Sequence, residues 1–363
     1  MPDWTRSMQQ TFDYYIVNPN TWGDSRKVTT IKSGSIQRDQ DTDTLGSASF
    51  ECNEDLCDKY LRVYLVTRQD GIEERFSLGT FLCQTPSQSF DGLKRIVDGE
   101  EEIYQTASVD GYTPLIELKE NPMPLGYAIA KDQNIMLRAV AFTEESVRAP
   151  VVKDGGPDTL NEDFVAELDD TRLTFLTDLL SNANREFGLD DLSRILFVPI
   201  QDINTLLPKW TYTDDNSSIL YPELELKRDL YSVPNVVEVV YSPNDGQPLY
   251  SRVVNDDPNS PISTVGRGRV ITHRETNPEV TAGISQAQLD LYAKNLLRKL
   301  SSLEYTLTYS HGYCPVNLGD CVRLNYSTAG LHGVKAKVIR QSIKLEPGCP
   351  VQETAVFTKQ LWG

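Results

Sequence analysis

The sequence predicts a mainly β protein with an α+β insertion, on three observations. Short runs alternate apolar with polar or smaller residues, and tyrosine stands beside aliphatic and β-branched neighbours in Tyr14-Tyr15-Ile16-Val17 and Val63-Tyr64-Leu65-Val66, a composition suited to a pleated, half-buried surface. Turn formers such as Asn18-Pro19-Asn20 and Asp70-Gly71 divide these runs. Helical periodicity is confined to the middle of the chain and one later segment. At 363 residues the chain has room for roughly two or three domains of about 100 to 150 residues.

The first texture runs from Thr11 to Gln84. Phe12, Tyr14 and Ile16 alternate up to the Asn18-Pro19-Asn20 break, and Val28-Thr29-Thr30-Ile31 and Ser35-Ile36-Gln37-Arg38 follow as strands. Gly46 to Cys52 alternates small and polar residues, as a strand packed closely on a neighbour does. Tyr60 to Thr67 is the plainest strand, and Arg75 to Gln84 returns after the Asp70-Gly71 turn. Strands at this spacing, with few helices between them, read as an antiparallel sandwich or barrel.

From about Pro114 the texture changes. Asp132 to Glu145 repeats Ile135, Ala139 and Phe142 on one face, with Met136 and Val140 beside them, which predicts a short amphipathic helix. A second helix is expected over Asp169 to Phe187. Leu173, Leu176, Leu179, Leu180, Ala183 and Phe187 share a face there, Asp169 or Asp170 caps the start, and Gly188 stops it. Ile195 to Ile200 reads as a buried strand.

The β-texture then resumes. Asn235 to Tyr241 is apolar on both faces, the pattern of a strand buried on two sides, and Ser242 to Pro261, with Asn244-Asp245-Gly246 and Asp256-Asp257-Pro258-Asn259, reads as loop and hairpin. Ser285 and Gln288 form a capping box ahead of the stripe Leu289, Tyr292, Leu296 and Leu300. Further strands are expected at Tyr305 to Tyr309, Asp320 to Asn325 and Val334 to Leu345. These textures divide the chain into a β domain over 1–118, an inserted α/β domain over 119–222, and a second β domain over 223–363 carrying inserted loops and helix 285–301.

The net charge of −17, with no block of Lys or Arg, argues against tight nucleic-acid binding. Two readings of the acidity stay open: a surface past which DNA slides without sticking, or solubility alone. No apolar run reaches the length of a membrane span, so no stable membrane association is expected. Met1-Pro2-Asp3-Trp4-Thr5-Arg6 lacks the features of a secretory leader, which predicts cytoplasmic synthesis and free thiols at Cys52, Cys57, Cys83, Cys314, Cys321 and Cys349.

Motifs for chemistry are sparse. The histidines are His273, His311 and His332, no H-E-x-x-H or G-x-S-x-G pattern occurs, and Gly266-Arg267-Gly268 does not complete a phosphate-cradling loop. Asp39, Asp41 and Asp43 open like a calcium loop, but Thr44 stands where glycine is needed and Phe50 where glutamate is needed, so a hairpin turn is the better reading. His311, Cys314, Cys321 and Cys349 supply zinc-type ligands at a spacing that matches no standard site, and packing as small apolar side chains is favoured. Glu100-Glu101-Glu102 and Asp169-Asp170 read as solvated faces or helix starts. No catalytic, cofactor-binding or metal-binding residue is nominated, no cofactor is expected, and the chain is not expected to be an enzyme.

Three segments carry a resemblance. Ile36 to Phe50, through Arg38-Asp39-Gln40-Asp41-Thr42-Asp43-Thr44-Leu45-Gly46, resembles the early strand-turn-strand element of bacteriophage tail hub and tail-tip proteins. Leu173 to Leu180, followed by Gly188 and the strand Arg194-Ile195-Leu196-Phe197-Val198-Pro199, resembles the inserted α/β domain of that family. Gly312 to Leu324, with Cys314-Pro315-Val316-Asn317-Leu318-Gly319-Asp320-Cys321, is similar to its C-terminal element, a proline-containing strand before a Leu-Gly-Asp turn and a new strand. The resemblance implies two tube-like antiparallel β-barrels per protomer plus a smaller mixed α/β domain. It further implies a homotrimeric baseplate hub whose six barrels join a hexameric tail tube, or a distal tube-initiator protein, to a trimeric central spike.

Other partners it implies are the tape measure and baseplate wedge proteins, with DNA passing through the channel. The location implied is the virion tail, assembled in the host cytoplasm. Because the sequence ends at Trp362-Gly363 without a spike, the puncturing device is expected on another polypeptide. Two other readings are weighed: a carbohydrate-binding tail-tip module, which would display Tyr14, Trp22, Tyr64 and Trp210 in a groove, and a tail-associated peptidoglycan hydrolase.

Overall fold

The computed structural model describes residues 2–97, 100–215, 218–242, 247–276, 278 and 284–363, without the side chains of 91–104. Strand accounts for 46% of the chain and helix for 15%, which makes it mainly β. Two units divide it, Met1–Glu223 with Tyr309–Thr354, and Leu224–Thr308 with Ala355–Gly363. The second unit holds ten basic and ten acidic residues, so the whole net charge of −17 falls on the first.

The chain opens with seven strands: β1 (Gln9–Val17), β2 (Asp24–Val28), β3 (Ile31–Asp39), β4 (Gly46–Cys52), β5 (Tyr60–Gln69), β6 (Ile72–Val97) and β7 (Glu100–Tyr112). Every pairing among them is antiparallel: β2 on β1, β1 on β5, β5 on β6, β6 on β7, β7 on β4 and β4 on β3. The alternation read over Gly46 to Cys52 is the burial pattern of β4, where Gly46, Ala48, Phe50 and Cys52 point inward. Asp70 and Gly71 both take positive φ, 51° and 82°, the geometry of a tight hairpin turn whose twist matches its strands. Glu100, Glu101 and Glu102 lie on β7, but their side chains fall outside the description.

Next come α1 (Ile116–Lys119), β8 (Ala128–Ile129), α2 (Ile135–Ser146), β9 (Phe164–Val165), α3 (Arg172–Ser181), β10 (Arg185–Leu189) and β11 (Ile195–Pro199). Met136, Ala139 and Phe142 of α2 share a core with Leu173, Leu176 and Leu180 of α3 and with Phe187 and Phe197 of the β10 and β11 hairpin. The α3 helix is shorter than its apolar period suggests. A Thr171 and Thr174 capping box starts it, in place of an aspartate cap. It ends at Ser181 because the Ser181 hydroxyl and the Asn182 amide donate to the Asp178 carbonyl, and Asn184 turns left-handed at φ 52°. Phe187 keeps the helical spacing by coincidence and belongs to β10.

The remaining elements are β12 (Trp210–Thr213), β13 (Leu220–Lys227), β14 (Val236–Tyr241), β15 (Leu249–Val254), α4 (Thr264–Arg267), β16 (Thr272–Glu275), α5 (Gln286–Leu300), β17 (Ser302–Gly312), β18 (Cys321–Tyr326), β19 (Leu331–Lys344) and β20 (Pro350–Gln360). In the second unit β14 lies between antiparallel β15 and parallel β16. Val237 and Val239 pack on Leu289, Ala293 and Leu297 of α5, whose start carries the Ser285 and Gln288 capping box. Full burial of β14 on both faces stops at Val237, because Glu238 faces Arg252 and Arg274. The Asn244-Asp245-Gly246 turn lies outside the described residues.

In the first unit β19 pairs antiparallel with both β18 and β3, and β12 runs parallel to β18. The β3 ladder joins Ser35 through Asp39 to Arg340 through Lys344, so early and late parts of the chain share one sheet. No closed barrel forms among the described residues. None of their helices is long and apolar enough to cross a membrane.

Gly46, the first residue of β4, lets the backbone of β4 approach that of β3 closely. It sits at φ 137°, and a Cβ there would lie 2.2 Å from the Gln37 carbonyl oxygen. Gly46→Ala is expected to cost at least about 2 kcal/mol, read as a lowered midpoint in urea unfolding with unchanged slope.

Candidate functional site

The three segments singled out in the sequence meet around one cavity of about 350 Å³ in the first unit. Gln37, Arg38, Gln40 and Leu45 come from β3 and the turn after it. Gly188, Leu196 and Val198 come from β10 and β11, and Asn317 to Asp320 form the turn before β18. That turn needs Gly319, which adopts φ 82°. Pro315 stands after the end of β17 and not within a strand, as its missing N–H requires of a residue beside a ladder.

Arg38 closes the floor. Its guanidinium donates to Asn317 Oδ1 at 2.7 Å, Gln341 Oε1 at 3.1 Å and the Leu78 carbonyl at 2.8 Å. Asn317 in turn donates to Asp191 at 2.8 Å. Elsewhere in the lining Gln40 donates to both oxygens of Glu186, which also faces Lys337 at 3.3 Å. Burial pushes the Asp320 carboxyl up, although its bond from the Asn317 N–H opposes this.

Behind Arg38 the polar contacts run on into the core. Gln341 Nε2 donates to Glu353 Oε2 at 2.8 Å and to the Val316 carbonyl, and the Tyr309 hydroxyl donates to Glu353 Oε1. His311 Nε2 lies 3.5 Å from Glu353 Oε2 and 3.1 Å from the Tyr212 hydroxyl, which reaches Cys314 Sγ at 3.2 Å. His311 Nδ1 donates to the Gly312 carbonyl. Burial alone would lower the His311 pKa, but hydrogen bonds with Cys314 and Glu353 and the Glu353 charge hold it up at about 10. Burial and the same carboxylate hold the Tyr309 hydroxyl well above its ordinary range.

A Cys, His and Glu set in contact is the raw material of a nucleophilic site. Here Cys314, His311 and Glu353 are 2%, 1% and 0% exposed, so no substrate reaches them. The network acts as a structural tie between β3, β12, β17, β19 and β20. Its key members, Gln341 and Glu353, were not nominated from the sequence. The signal was there: Glu353 occupies the inward phase of Val351, Ala355 and Phe357, and Gln341 that of Ile343.

The other singled-out residues lie apart. Asp39, Asp41 and Asp43 pair with Arg340 and Lys119 around the hairpin turn. Cys321 and Cys349 are buried free thiols, and no group of three or more His, Cys, Asp or Glu side chains among the described residues is placed to hold a metal ion. Cys57 is exposed and Cys52 buried, His332 is exposed, and His273 sits on β16 opposite Val237. Tyr14 and Trp22 are buried, the latter donating to the Leu192 carbonyl and packed on Tyr60, while Tyr64 and Trp210 are half-buried.

No family model matches this chain, and no curated protein does. Solved structures do match. A tail protein from Neisseria meningitidis superposes with a TM-score of 0.58 over 96% of this chain and 97% of that one, at 14% identity. The 43 kDa tail protein of prophage MuSo2 from Shewanella oneidensis gives 0.53 over 95% of this chain and 98% of that one, at 10% identity. The fold is therefore one used by phage tail proteins, the class to which the hub resemblance pointed.

Removing Glu353 would leave the imidazolium buried without its counter-charge. Glu353→Ala is expected to destabilise the chain by about 3 to 5 kcal/mol in denaturant unfolding. Because His311 keeps its proton to about 10 when folded and releases it near 6.5 when unfolded, its contribution is full below about 6.5 and drains away as pH rises to about 10. Stability measured across that window should fall in the natural chain and fall less in His311→Gln.

Proposed function

We propose that this chain is a structural subunit of a phage or phage-like tail, a baseplate hub that works by assembly and not by turnover. One observation carries the reading: the fold match to a tail protein runs end to end, over 96% of this chain and 97% of that one, so it concerns the whole architecture and not a shared module. In this reading three protomers form a ring, each contributing two tube-like β-regions, over 1–118 and 223–363, with 119–222 as the insertion. The ring joins a six-fold tail tube, or its initiator protein, to a three-fold central spike. Tape measure and baseplate wedge proteins are further neighbours, and the ring resides in the virion tail.

The charge distribution supports a passage for DNA. Carboxylates of the first unit, which holds all the net charge, line the channel and repel the phosphate backbone, so DNA passes without binding. A carbohydrate-binding module is disfavoured by the burial of Tyr14 and Trp22, and a hydrolase by the sealing of Cys314, His311 and Glu353. Native mass measurement tests the proposal. The expected species is a trimer, formed by the chain alone or on mixing with its tube and spike partners, and a stable dimer would overturn it.

A further inference from the structure

Two exposed apolar surfaces lie outside the network, one in each unit. In the first unit Leu125 and Leu168 are 87% and 89% exposed, and Val165 is exposed beside them. Their placement is built. Residues 122–129 and 164–171 form a broken antiparallel ladder, paired at Ala128 with Val165, Ile129 with Phe164, and Pro122 with Thr171. Between these pairs each segment leaves the ladder in a turn, closed by Tyr127 N–H to the Pro124 carbonyl and Asp170 N–H to the Glu167 carbonyl. Leu125 and Leu168 take the second positions of these facing turns, and Gly126 at φ 71° permits the first of them. Cross-bonds from Met123 N–H to Asp170 and from Ala166 N–H to Tyr127 anchor both turns. The rim is acidic, with Glu162, Asp163, Glu167 and Asp169 all exposed. Held-out leucines inside a charged rim are the composition of a docking surface.

The second unit carries a surface of the opposite character. Tyr231, Val265 and Val270 are exposed. Arg267 binds their two segments together by donating to the Leu230 and Val233 carbonyls, and Asn235 joins them again through Arg269 and Ile271. Arg269 is exposed with its guanidinium 4.9 Å from the Tyr231 ring centre, and Arg228 is exposed nearby in sequence; Asp229, exposed beside it, accepts from the Tyr231 N–H, so the balance of Arg228, Asp229 and Arg269 is basic.

We propose that the acidic leucine surface of one copy docks on the basic Tyr231, Val265 and Val270 surface of a second copy. Like charge disfavours the acidic surface meeting itself, whereas the two different surfaces match in both apolar character and sign. A contact between different patches is heterologous and closes into a ring when its rotation permits. The inference rests on the hub reading and names the contact by which its ring forms.

The test uses the full chain with a photoreactive p-benzoylphenylalanine in place of Leu168, mixed in equal amounts as ordinary and heavy-isotope protein under the conditions, alone or with tube and spike partners, in which it self-associates. Mixed-isotope cross-links are expected within 228–235 and 264–271. Cross-links confined to one isotope, mapping elsewhere, or absent overturn the contact. The double variant Glu167→Arg/Asp169→Arg and the variant Arg269→Glu should each weaken self-association by about tenfold or more in sedimentation, and combining them should restore most of it. All three positions are exposed, so melting temperatures should stay unchanged and separate lost docking from lost folding. A trimer lacking these cross-links and charge effects discards this surface and keeps the hub. A stable dimer carrying them keeps the contact and discards the hub, and a chain monomeric with and without its tail partners discards both.

Discussion

The constraint on which the first unit depends is a carboxylate with no exposed surface. Glu353 is compatible with the fold only because four neighbours answer it: the Tyr309 hydroxyl, the Gln341 amide, the His311 imidazolium and, one bond further out, the Arg38 guanidinium. Isolated, such a charge would cost several kcal/mol. The answering groups come from three strands, Tyr309 and His311 from β17, Gln341 from β19 and Arg38 from β3, so the carboxylate on β20 is stable in a single alignment of the four. A one-residue slip of β19 would carry Gln341 to the other face and leave Glu353 unpaired. The polar interior thereby selects the same register as the apolar alternation of these strands.

Most strands were legible because alternation is local. Gly46 to Cys52, Tyr60 to Thr67 and the late strands need no knowledge of their partners to be recognised. The capping box at Ser285 was equally plain, since its two side chains are three residues apart. What escaped depended on context. Residues Arg185 to Phe187 of β10 read as the tail of a helix because Leu180, Ala183 and Phe187 keep a helical interval, and the polar groups of Ser181 and Asn182 decide against it. The hairpin read over Ser242 to Pro261 is borne out, its returning strand being Leu249 to Val254 on β14.

The candidate site was legible in its borders and not in its contents. All three segments that carried the hub resemblance border the cavity, yet neither Arg38 nor Glu353 was nominated, because a charged residue on the inward phase of a strand has meaning only once its partners are known. Arg38 meets Gln341 across 303 positions of sequence, a distance no local pattern spans. The acidity, in contrast, was visible as a total and hidden as a distribution. Only the division into two units shows that one of them is neutral and that the excess of carboxylates belongs to the other.

The pairing of β3 with β19 bears on how this protein is made. Gln37 and Ser342 bond side chain to side chain across 305 positions, so one edge of β3 stays bare until some 305 further residues have left the ribosome. At about 5 to 20 residues per second that wait is roughly 15 to 60 seconds. During it the nascent chain presents an unpaired strand edge in a crowded cell, the condition under which neighbouring chains on the same message pair wrongly and chaperones are needed.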